Sequence, residues 1–85
     1  MFKLSEMNVG ETGQIKKING SGHIRKRLFD MGVTPNSMVF LRKKAPLGDP
    51  LEITIRGYEL TLRKDEAALI DIELVDAKLW KILLW

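Results

Sequence analysis

Apolar and polar residues alternate strictly between positions 51 and 63. Glu52 and Thr54 separate Leu51, Ile53 and Ile55, while Glu59 and Thr61 separate Tyr58, Leu60 and Leu62. A period of two is that of a half-buried strand, so the stretch predicts two strands joined by a two-residue turn at Arg56-Gly57. That turn pairs Ile55 with Tyr58, Ile53 with Leu60 and Leu51 with Leu62, and puts all six apolar side chains on one face. Residues 12–18 and 38–44 predict two further strands. Residues 69–74 predict a last one, with Ile70, Ile72 and Leu74 on one face. Between them the period changes. Ile24, Leu28 and Met31 fall at i, i+4 and i+7, Ser21 is placed to cap the start, and Gly32 to stop the chain in a left-handed conformation, so a helix is predicted here. Leu4, Met7 and Val9 predict one helical turn over the core with Ser5 as its cap, and residues 64–68 predict another turn. About five short strands with one short inserted helix predict a mainly β fold, a small SH3-like barrel closed by its last strand.

Composition narrows the chemistry. The 85 residues hold one domain, and a chain this short buries only ~60% of its unfolded surface. It contains no cysteine, which excludes disulfides, thiolate nucleophiles and cysteine zinc sites. The start, MFKLSEMNVGE, lacks the basic and apolar regions of a signal peptide, and no apolar run approaches the ~20 residues that cross a bilayer. A cytoplasmic protein is expected. The net charge of +3 suits an acidic partner without specifying one.

Candidate reactive residues are few. His23 is the only histidine, and Ser21 beside it suits a helix cap better than a nucleophile. One imidazole without a second nitrogen or sulfur ligand defines no metal site, and no cofactor motif is present. Gly20-Ser21-Gly22 opens a basic helix but lacks the further glycine and the lysine of a phosphate loop. Glu52 and Glu59 share the outer face of the hairpin with Arg56 and Arg63, an exposed salt-linked surface rather than a cleft that shifts a carboxyl pKa. Arg25-Lys26-Arg27 could touch phosphates, yet the aromatic residues do not form a stacking row among basic ones, so there is no strong nucleic-acid signal. No residue set for an enzyme emerges.

Three motifs in order, RLFDMGVTPNSMV, APLGDP and IRGYELTLRKDEA, followed by the terminal alternating strand, resemble the FeoA family. The resemblance runs over about residues 4–75. Its most specific elements are Arg27-Leu28, Met31-Gly32-Val33 with Pro35, Ala45 to Pro50, Arg56-Gly57, Leu62-Arg63 and Glu66-Ala67. It implies an SH3-like barrel and a non-enzymatic accessory role in ferrous iron uptake, docked on the cytoplasmic GTP-binding domain of the FeoB-type transporter. A domain of this type also ends some iron-dependent repressors, and transition-metal binding is attached to the family, although no ligand set for tight binding stands in this sequence. Asn36 follows the turn proline where the family usually has glycine; asparagine tolerates the left-handed geometry. The alternatives are a nucleic-acid-binding barrel using the basic helix, or the repressor-type domain.

The family points to the corner Ala45, Pro46, Leu47, Gly48, Asp49 and Pro50, together with Arg25 and Arg56, as the partner-binding residues. Pro46 and Pro50 fix φ at both ends and remove two backbone donors, Gly48 permits a positive φ, and Asp49 can bond its own backbone. Such a loop either presents Leu47 to a partner or is a rigid connector with Leu47 tucked beneath it. Residues 1–75 form the expected barrel, and residues 76–85, DAKLWKILLW, an apolar extension. Leu79, Trp80, Leu83 and Trp85 need cover, from the barrel itself, a second copy or the partner. Self-association or partner docking is expected, since the family core closes without this segment.

Overall fold

The computed structural model describes residues 2–75. The expectations for the extension fall on residues 76–85, outside the described residues. The elements run β1 (Phe2–Lys3), a 3-10 turn (Leu4–Glu6), β2 (Thr12–Ile18), α1 (Gly22–Asp30), β3 (Met38–Lys44), a second 3-10 turn (Pro46–Gly48), β4 (Leu51–Ile55), β5 (Tyr58–Leu62), α2 (Lys64–Ala67) and β6 (Ile70–Val75). Six antiparallel strands form one sheet in the order β1-β6-β2-β3-β4-β5. The last strand closes the fold by inserting between β1 and β2. β1 is a strand that the apolar pattern did not announce, because two residues are too few to carry a period.

The hairpin has the expected register, with Leu51 opposite Leu62, Ile53 opposite Leu60 and Ile55 opposite Tyr58. Arg56 and Gly57 both take positive φ, 50° and 84°, the condition for a tight turn matching strand twist. Leu51, Ile53, Ile55 and Leu62 are buried, but Leu60 is only partly so and Tyr58 is exposed. The cause is position. β5 is an edge strand, so its first residues reach past the core. Leu51, Ile53, Ile55 and Leu62 join Ile15, Leu28, Val33, Val39, Leu41, Ile70 and Ile72 in a single cluster of buried residues.

Several local expectations change. α1 buries Leu28 alone, with Phe29 and Met31 packed against the cluster, whereas Ile24 is exposed. Ser21 occupies the N-cap position without a side-chain capping bond. Gly32 does stop the helix, at φ +89°. At the first turn Leu4 and Met7 are buried but Val9 is not; the N-cap position is taken by Lys3 rather than Ser5, and Glu6 Oε1 accepts from Lys3 N at 2.7 Å. Leu74 is also exposed, near the end of β6.

The Lys3 ammonium is hydrogen-bonded to Asp71 across β1 and β6. That bond, with a smaller contribution from Asn19, holds the Asp71 carboxyl below its ordinary value of 3.8. A carboxyl lowered in the folded state stabilises the protein above its unfolded pKa, and the contribution is lost as pH falls through the folded value. Asp71→Asn is therefore expected to flatten the acid limb of stability. Thermal unfolding between about pH 6 and about pH 2 checks it; identical slopes below about pH 4 in both proteins would remove Asp71 from that role.

Candidate functional site

The corner is built by short bonds at its base. Ala45 N donates to Pro50 O at 3.0 Å and Gly48 N to Ala45 O at 2.8 Å. Asp49 does not bond its own backbone; its Oδ1 accepts from Lys64 N at 3.1 Å, tying the corner to the first residue of α2. Gly48 takes φ +79°, as expected, and Leu47 takes φ +68°, which was not. For a non-glycine residue that conformation costs about 1–2 kcal/mol.

Leu47 is 93% exposed. The tucked arrangement is thus not the one adopted. An apolar side chain in a strained backbone conformation, touching no core, gives nothing back to the fold. Two open grooves flank the corner. One, of about 850 Å3, is lined by Ser5, Asp49, Pro50, Arg63, Lys64 and Asp65 among others. The second, about 390 Å3, is lined by Val9, Arg42, Lys43, Lys44, Pro50 and Glu52 among others. Lys43, Arg63 and Lys64 are exposed along these grooves, and so are the carboxylates of Asp49 and Asp65. Lys44 is turned inward, donating to Met7 O at 2.5 Å and Ser5 O at 3.2 Å. The sequence pattern missed Arg63 and Lys64 because a second element, α2, brings them beside the corner.

Arg56 and Arg25 lie elsewhere. Arg56 follows the far end of β4, about 17 Å of strand from Leu51. Its Nη2 donates to Thr34 Oγ1 at 2.7 Å and its Nε to Ser37 Oγ at 3.2 Å, while the two hydroxyls are 2.8 Å apart. Arg56 therefore clasps the turn in which Asn36 takes φ +72°. Arg25 Nε donates to Ile18 O at 3.2 Å, and its guanidinium lies 4.9 Å from the centre of the Phe29 ring. Arg27 pairs at 2.9 Å with the buried Glu66, whose other oxygen accepts from Arg63 N at 2.9 Å. Lys26 pairs with Asp30 at 3.1 Å one helical turn on, so all three central cations of the basic helix make internal contacts. Glu59 pairs with Arg42 at 2.7 Å, not with Arg56 or Arg63. Arg56→Ala is expected to cost about 0.5–1.5 kcal/mol, and Arg56→Lys to recover only part, because an ammonium lacks the fork that reaches both hydroxyls. Urea unfolding measures both; full recovery by lysine would reduce the clasp to charge alone.

Among the described residues no three histidine, aspartate or glutamate side chains converge on a point that could hold a metal ion. The described residues do not present a donor set that fits a resident transition metal. No helix among the described residues is long and apolar enough to cross a membrane.

A six-stranded antiparallel sheet around one core, with two short helices and a preorganised corner, is a small SH3-like barrel. Residues 2–74 match the FeoA domain, and the chain belongs to that family. It is 35% identical over 76 residues to an Fe(2+) transport protein A/Fe(2+) transporter FeoB fusion protein of Porphyromonas gingivalis, covering 89% of this chain but 9% of that protein. The NMR structure of a FeoA-like protein from Clostridium acetobutylicum is similar with a TM-score of 0.80 and 33% identity, over 89% of this chain and 92% of that one. FeoA of Stenotrophomonas maltophilia complexed with zinc, described as a procaryotic SH3 domain protein, shares the fold. Its TM-score is 0.76 at 22% identity, over 86% of this chain and 91% of that one.

Proposed function

We propose that this protein is a non-enzymatic accessory factor of ferrous iron uptake that docks on the cytoplasmic GTP-binding domain of a FeoB-type transporter and modulates it. The observation that carries this reading is the Porphyromonas gingivalis relative, in which a segment similar to this chain is fused to FeoB. Fusion holds two domains at millimolar effective concentration; a separate chain needs an interface to reach the same end. The protein works in the cytoplasm, at the inner face of the membrane where its partner holds it.

The corner supplies that interface. Leu47 is an apolar anchor whose loop is already ordered by the Ala45–Pro50 and Asp49–Lys64 bonds, so little conformational entropy remains to be lost on docking. Lys43, Arg63 and Lys64 line the grooves beside the corner together with Asp49, Asp65 and Glu52, and suit a partner rim that carries both signs of charge. Arg25 and Arg56 support the fold from other parts of the molecule rather than joining this surface.

Titration of the full chain against the isolated GTP-binding domain tests the proposal. Saturable binding that survives moderate salt is the expected result. Binding to single-stranded RNA that falls steeply with salt, with no binding to the domain, would favour the basic-helix alternative instead.

A further inference from the structure

Val9, which the apolar pattern assigned to the core, is 57% exposed on the turn before β2. That turn is fixed in place. Glu11 N donates to Asn8 O at 3.1 Å, and Gly10 N donates to Leu41 O at 2.9 Å. Val9 lines the groove of about 390 Å3 together with Ala45 and Pro50 of the corner. Leu47 lies between Ala45 and Pro50 in the chain, yet its side chain does not line this groove and is 93% exposed. One surface therefore carries an apolar projection and, beside it, an apolar recess that the projection does not fill.

We propose that two copies of this chain associate through their corners about a two-fold axis, each seating its Leu47 against Val9, Ala45 and Pro50 of the other. A projection and a recess on the same surface make that surface self-complementary. The two-fold axis turns each leucine towards the other copy's groove, and the contact closes after two copies. The charges select the same occupant. A two-fold axis sets a rim against its own duplicate, so a rim of one sign would repel itself. Here Lys43, Arg63 and Lys64 are interspersed with Asp49, Asp65 and Glu52, a rim that can meet itself with opposite signs. Both walls of the contact are ordered beforehand, by the Asn8–Glu11 and Ala45–Pro50 bonds, so little conformational entropy is lost on pairing.

Such a dimer hides both leucines, so self-association and docking on the transporter domain compete for one surface. This consequence rests on the docking role proposed above. The dimer itself does not, and it is measured without that domain. A protein accumulating in excess of its partner is held as the dimer, and mass action releases monomer as the partner binds it.

Sedimentation equilibrium of the full chain at concentrations up to about 1 mM tests the dimer, with circular dichroism to check that each variant is folded. The wild type is expected to pass from monomer to dimer. Leu47→Asn removes both leucines and Val9→Glu spoils both grooves, so each alone is expected to weaken the dimer about a hundredfold. Ile24→Glu, at an exposed position of α1, is expected to leave it unchanged. Mixing Leu47→Asn with Val9→Glu restores one contact per pair, an intact leucine in an intact groove. The mixed pair is therefore expected to be only about tenfold weaker than the wild type. A wild type that stays monomeric throughout, association that neither substitution weakens, or no recovery on mixing would overturn the proposal. The GTP-binding domain of a FeoB-type transporter is expected to dissolve the wild-type dimer. A dimer that takes up the domain intact would overturn the competition. A domain that does not bind at all would overturn the docking role and leave the dimer standing.

Discussion

Ile53→Ala is expected to lower the unfolding free energy by about 2–5 kcal/mol. Ile53 has no accessible surface and lies between Leu41 on β3 and Leu60 on β5. Strands on both sides hold its backbone, so the site cannot collapse around the missing atoms and the cavity persists. For a domain of this size, with total stability of roughly 5–15 kcal/mol, that is a large share, and each kcal/mol lowers Tm by about 4–8 °C. Leu60→Ala is expected to cost clearly less, because Leu60 is only partly buried on an edge strand. Urea unfolding followed by far-UV circular dichroism measures both. Equal losses would mean that β5 shares the core as fully as β4, contrary to the burial described.

Gly32→Ala is expected to be nearly as damaging, for a different reason. Gly32 ends α1 at φ +89°, a conformation that costs alanine about 1–2 kcal/mol. Its position is also occupied from outside. The Tyr58 hydroxyl donates to Met31 O at 2.5 Å, and a Cβ on Gly32 would run into that hydroxyl. The substitution therefore adds a collision to the backbone cost and displaces the tyrosine that fastens β5 to the end of the helix. Tyr58→Phe alone loses one hydrogen bond, worth about 0.5–1.5 kcal/mol. In the Gly32→Ala background the same change also relieves the collision, so the double variant is expected to be more stable than the sum of the two losses. A double-mutant cycle on unfolding free energies reads this directly; strict additivity would separate Gly32 from Tyr58.

These two sites also mark what the sequence makes legible. The position of Ile53 follows from six apolar residues at period two around a tight turn, since any slip of one residue would turn the whole set to solvent. Gly32 follows from the end of a helical period. The contacts that place Tyr58, Asp49, Arg56 and Glu66 cross 27, 15, 22 and 39 positions respectively, to Met31, Lys64, Thr34 and Arg27. No local pattern carries such pairings. Ile24 was misplaced for the complementary reason, and Ser21, though at the N-cap, makes no side-chain capping bond. Local rules assign a cap and a core position, but which helix face meets the sheet is decided by packing, and Leu28 with Phe29 and Met31 takes that role. At the corner, the two prolines and Gly48 made a rigid loop visible. The positive φ of Leu47 was hidden, because a leucine there runs against its own backbone preference.

That conflict between residue and conformation gives the most direct test of the docking role. Asparagine accepts the left-handed region more readily than leucine, and Leu47 packs against nothing that its loss would expose. Leu47→Asn is therefore expected to leave stability unchanged or raise it by up to about 1 kcal/mol. If Leu47 is the anchor, the same substitution removes the apolar group that a partner would bury. Calorimetric titration of the GTP-binding domain of a FeoB-type transporter with wild type and Leu47→Asn is the decisive measurement. Affinity is expected to fall about tenfold or more, ~1.4 kcal/mol, in a protein at least as stable as the original. Unchanged affinity in the folded variant would contradict docking through the corner.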